Sequence, residues 1–67
     1  MKNTIVGIIT NDFLLFKEIE NNNPENEFVQ LDSPEKLFGR KFDFVIKLYD
    51  WKKTNRVVLE TYKSRIV

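Results

Sequence analysis

The run Ile5-Val6-Gly7-Ile8-Ile9 carries no polar side chain, and it limits the possible folds more than any other stretch. Its residues show neither the alternation of a half-exposed strand nor helical spacing, so both faces of the segment need covering. A central strand of a parallel or mixed sheet reads this way. The Thr10-Asn11-Asp12 triplet behind it then falls at the strand's C-terminal end, where open α/β sheets place their working groups.

The chain has 67 residues and is expected to form a single small α/β domain over residues 1–67. A domain of this size buries only about 60% of the surface its unfolded chain exposes. It has no cysteine and no histidine, which excludes disulfides and thiolate or imidazole metal sites. Self-association is the remaining support, and it predicts a homodimer or a tight complex with another protein. After Met1-Lys2-Asn3 the apolar stretch ends at Asn11, too short for a signal-peptide core or a membrane span. The expectation is a cytoplasmic protein with no membrane partner.

The pattern along the chain predicts strands near 4–9, 27–31 and 42–49 and helices near 12–21 and 34–38. Asn11 or Asp12 caps the first helix, whose apolar positions are Phe13, Leu14, Leu15, Phe16 and Ile19. Asn21-Asn22-Asn23-Pro24 ends it, since Asn tolerates left-handed geometry and proline disfavours helix before it. Ser33, Pro34 and Gly39 mark a short second helix as N-cap, first position and stop, with Leu37 and Phe38 pinning it to the sheet. In the third strand Phe42, Phe44, Ile46 and Leu48 share one face, and Val45, Lys47 and Tyr49 the other. The second set is less apolar, which places this strand nearer an edge than the first. Trp51 to Asn55 reads as a loop. Residues 56–67 carry a helical stripe, Val58, Leu59, Tyr62 and Ile66, but also many strand-preferring residues. Helix and antiparallel strand both remain open there, with the balance leaning to a strand in a hairpin with the third. The fold class expected is a small three- to four-stranded mixed or parallel sheet, βαβαβ plus a C-terminal strand or helix.

The order strand, acidic turn, helix, strand, Asp-Ser turn, short helix and Phe42-Asp43-Phe44-Val45-Ile46 strand resembles the first half of a response-regulator receiver domain over residues 3–50. The resemblance implies a doubly wound sheet, an acidic turn after the first strand that binds Mg²⁺, and a phosphoacceptor Asp ending the third. Here the turn is Asn11-Asp12 with one carboxylate, Leu48 stands at the phosphoacceptor position, and Asp50 lies two residues late. The resemblance therefore bears on architecture, not on phosphoryl transfer. The start of the PIN-type nucleases is similar too, but Ile9 replaces the Asp that precedes Thr-Asn in that family.

Asp12, Asp32 and Asp50 follow the three predicted strands, so a parallel sheet would gather them at one edge as oxygen ligands for Mg²⁺. Capping and turn roles also account for each of them. Ser33 and Ser64 lack a general base, so no catalytic residue and no cofactor is assigned. Residues 1–39 carry three basic and seven acidic side chains, a balance of −4, and residues 40–67 eight basic and three acidic, +5. Such asymmetry can mark an anion-binding face. Trp51, Lys52, Lys53 and Arg56, joined by Arg40, Lys41, Lys63 and Arg65, form the candidate binding surface, with Trp51 or Tyr49 available to stack on a base. The same loop suits an acidic protein. Lys47 reads as an edge guard or a snorkelling stem. Together these features point to a non-enzymatic protein–protein interaction or regulatory module. It is expected to act as a homodimer or bound to a larger protein, through Phe and Tyr on an incompletely covered sheet face. The alternative is nucleic-acid binding by the basic half, and a third option is Mg-dependent phosphotransfer or nuclease activity.

Overall fold

The computed structural model describes residues 4–67; the Met1-Lys2-Asn3 start lies outside them. The fold is α/β. Strands β1 (Ile5–Ile9), β2 (Glu27–Gln30) and β3 (Phe44–Lys47) form a parallel sheet in the order β2-β1-β3. Helices α1 (Phe13–Asn22) and α2 (Arg56–Thr61) are joined by 3-10 turns at Pro34–Lys36, Trp51–Lys53 and Tyr62–Arg65. The aliphatic run is the central strand, as its composition requires, and Val6 through Thr10 are buried. Gly7 sits where two large side chains close over β1. A Cβ there would lie 2.7 Å from Leu31 Cδ1 and 3.3 Å from Phe42 Cδ1. No helix among the described residues is long and apolar enough to cross a membrane.

Each sheet face has its own core. On one, Val6, Ile8 and Phe16 are buried, with Ile19, Phe28 and Leu48 packed around them. On the other, Ile9, Val29, Leu31, Leu37, Phe42, Val58 and Tyr62 form the larger cluster. Helix α1 starts at an Asp12 cap, whose Oδ1 accepts from the Leu15 N–H at 3.0 Å. It covers the first face with Phe16 and Ile19, spaced three apart. Phe13 and Leu14 remain exposed, Leu14 by 80%. The helix ends without left-handed geometry: Asn23 has φ −135° and its Nδ2 donates to the Ile19 carbonyl. The β1–α1–β2 crossover and the β2–β3 connection, which carries Leu37, lie on opposite faces and move in opposite directions. The two connections thus share one hand, as right-handed crossovers require.

The structure departs from the sequence reading at further places. The Pro34 segment is only a 3-10 turn. Ser33 makes no side-chain cap bond, Leu37 is buried, and Phe38 is 66% exposed instead of pinned to the sheet. Trp51–Lys53 is a 3-10 turn within the expected loop. Strand β3 is shorter than expected, and Phe42 is on the opposite face from Phe44 and Ile46. The cause is Asp43. Its N–H donates to the Ile5 carbonyl at 2.8 Å and its Oδ2 accepts from the Ile5 N–H at 2.9 Å. The carboxylate thus stands in for a backbone acceptor, the alternation slips by one, and Phe42 turns into the larger core.

The C-terminal residues are helical, against the leaning to an antiparallel strand. Asn55 Oδ1 accepts from the N–H groups of Val57 and Val58, at 2.8 and 3.4 Å, and starts α2. A hairpin would have paired with the β3 edge but left the larger face uncovered. The helix buries Val58 and Tyr62 against that face, and this burial outweighs strand propensity. The chain then returns to the start of β3, where Ile66 makes a single parallel bridge to Phe42.

Candidate functional site

The C-terminal ends of the strands converge on one polar cluster. The buried Thr10 hydroxyl donates to Asp50 Oδ1 at 2.7 Å and accepts from the Asp12 N–H at 3.0 Å. Asp50 Oδ2 accepts from the Asn11 N–H, and Asn11 Nδ2 donates to the Lys53 carbonyl. Gln30 Nε2 reaches the Thr10 carbonyl from β2 at 3.1 Å. The Tyr49 hydroxyl donates to Asp12 Oδ2 at 2.9 Å. Both carboxylates have both oxygens engaged. The Thr10 hydroxyl holds the Asp50 carboxyl below its ordinary value, with the Asn11 N–H and Lys53 adding to this and desolvation opposing it. The hydrogen bond to Asp12 pushes the Tyr49 phenol up.

This is the point where the strand order reverses and where open α/β sheets usually open a crevice. No cavity opens among the described residues. The cluster instead bolts β1, β2, α1 and the segment after β3 together. Of the aspartates expected to gather, Asp12 and Asp50 do share it. Asp32 does not: its Oδ1 pairs with Lys36 at 3.2 Å, at half-exposed positions. Among the described residues no group of three or more acidic side chains is placed to hold a metal ion.

The basic surface expected from the sequence divides between the two ends of the sheet. Trp51, Lys52, Lys53 and Arg56 follow β3 at the end that holds the polar cluster. Arg65 and Lys63 lie at the other end, where Phe42 N–H donates to the Arg65 carbonyl at 2.7 Å. Along β3, from Phe42 to Leu48, the two ends are roughly 20 Å apart at ~3.3 Å per strand residue. Helix α2 and its 3-10 turn set Lys63 about 12 Å from Arg56. Trp51 is half-buried against the larger core, with Lys47 Nζ 4.5 Å and Lys52 Nζ 5.7 Å from its ring centroid. Both ammonium groups lie within cation–π reach of the ring. Tyr49 is 77% exposed and tied to Asp12. Arg56 pairs with Glu60 on its own helix.

The most exposed apolar group of the sheet is on β3, where Phe44 is 63% and Ile46 43% exposed. They share a face with Val6 and Ile8 through the pairs Val6↔Phe44 and Ile8↔Ile46, but α1 packs toward β2. Strand alternation had put the two residues together; their exposure follows from where α1 lies, which alternation does not encode. Asp43 carried no sequence signal for its role. Compared with protein-family models, with curated proteins and with solved structures, the chain matches none of them significantly.

Proposed function

We propose that the chain is a non-enzymatic interaction module that binds a protein partner, or a second copy of itself, through the outer side of β3. The observation that carries this reading is an edge strand with an uncovered apolar face. β3 pairs with β1 alone, and Phe44, Ile46 and Lys47 are all exposed. The register turns the main-chain groups of Val45 and Lys47 away from β1, so an added strand can take them up. The opposite edge offers less: Val29 and Gln30 on β2 are 8% and 9% exposed. The polar cluster supports a structural role, since Asp12 caps α1 and Asp50 ties the segment after β3 to Thr10 and Asn11.

The test compares wild type with Phe44→Ser and Lys47→Pro, the latter removing an outward N–H and leaving the bonds to β1 in place. Sedimentation measures self-association, and affinity isolation from extracts of the protein's own cells measures other partners. The expected result is self-association, or a specific set of retained proteins, that both variants lose. A monomer whose retained proteins are the same for all three baits contradicts the proposal.

A further inference from the structure

We infer that the corner where residues 38–41 meet residues 63–67 is a binding site for single-stranded nucleic acid. This goes beyond the protein contact proposed on the middle of β3 and uses different side chains. The corner is made by the Phe42↔Ile66 bridge. Phe42 N–H donates to the Arg65 carbonyl at 2.7 Å and Val67 N–H donates to the Phe42 carbonyl at 2.9 Å. Two segments far apart in the chain are thereby laid side by side, and each brings its cations: Arg40 and Lys41 from one, Lys63 and Arg65 from the other. The first three are exposed and Arg65 half-exposed.

None of these cations has an ion-pair partner among the described residues, where the salt bridges are Lys17–Glu20, Lys36–Asp32 and Arg56–Glu60. The carboxylates nearest in the chain make other contacts. Asp43 accepts from the Ile5 N–H and Glu60 from Arg56. Four cations thus lie along the two paired segments outside any ion pair among the described residues, and an anionic chain can take them up. Beside them Phe38 is 66% exposed, offered by a turn in which Gly39 has φ 73° and Arg40 N–H donates to the carbonyl of buried Leu37. Positive φ suits glycine because it lacks a Cβ, and here it separates the ring from the cations by one residue. Cations in a short array beside an accessible aromatic face match a phosphate backbone with unpaired bases, which stack on such faces without regard to sequence. An acidic peptide would use the cations and leave the ring idle.

The test is fluorescence anisotropy of a labelled short oligothymidylate over a salt series. With contacts from Arg40, Lys41, Lys63 and Arg65, the expected slope of log affinity against log salt is about −3. Lys41→Glu combined with Lys63→Glu should weaken binding about tenfold or more at low salt. Lys52→Glu combined with Lys53→Glu, at the other end of the sheet, should have a clearly smaller effect. Phe38→Ala should weaken binding with the slope unchanged. Circular dichroism confirms that each variant is folded. Four results would overturn the inference: no binding at low salt, equal losses from the two lysine pairs, no effect of Phe38→Ala, or equal binding of a polyglutamate peptide. The last would assign the corner to an acidic protein.

Discussion

Thr10 and Thr54 are both buried, at 0% and 6% exposure, and their hydroxyls stand in opposite situations. The Thr10 hydroxyl donates to Asp50 and accepts from Asp12, whereas Thr54 Oγ1 has no hydrogen-bond partner among the described residues. Removing a partner from a buried polar group costs about 1–3 kcal/mol, while replacing an unpaired one by an apolar group of the same shape is neutral or favourable. Thr10→Val should therefore lower the unfolding free energy by about 1–3 kcal/mol, and Thr54→Val should leave it unchanged or raise it. Urea denaturation reads both, and equal losses would refute the account of the cluster. Asp50 supplies a pH dependence. Its carboxyl is held below the ordinary value, so the folded state binds that proton less tightly than the unfolded state. The stability this contributes is present above the unfolded carboxylate's pKa and is lost as pH falls through the folded one. Asp50→Asn should flatten the acid side of the stability profile, and an unchanged slope would contradict the assignment.

Among the elements, β1 and α1 were legible because their apolar spacing and the Asp12 cap agree. β3 and the C-terminal segment were not, each for a physical reason. Asp43 replaces a backbone acceptor by a carboxylate, a substitution that a period-2 pattern cannot register, and Phe42 therefore faces the larger core whereas alternation puts it with Phe44 and Ile46. Residues 56–67 carry strand propensity, yet the larger sheet face needed a cover and only a helix starting at Asn55 supplies Val58 and Tyr62 to it. The sequence signal for the helix is Asn55 itself, whose side chain caps α2. Asn55→Ala should cost about 0.5–2 kcal/mol, the usual range for a lost N-cap, and reduce helical circular dichroism. A variant as stable as wild type would show that packing alone holds α2.

At the scale of the whole molecule, the sheet's middle and its margins have different roles. β1 is closed over on both faces, the polar cluster locks the strands' C-terminal ends, and β3 is left with one open edge and an uncovered face. The parallel α/β architecture was legible because a short run without polar residues can hardly be placed elsewhere. The candidate surfaces were only partly legible. Charge composition marks the second half of the chain as basic, but the return of α2 along the sheet separates Trp51, Lys52, Lys53 and Arg56 from Lys63 and Arg65, and only the folded path shows this. Amide hydrogen exchange followed residue by residue tests the central claim most directly, because protection reports local opening. The N–H groups of Val6, Gly7, Ile8 and Ile9 should be the slowest in the protein, and those of Val45 and Lys47 in a dilute sample should exchange nearly as fast as in an unstructured peptide. If the β1 amides exchange as fast as those outward-facing ones, the run is not the middle of the sheet and the account of the fold fails.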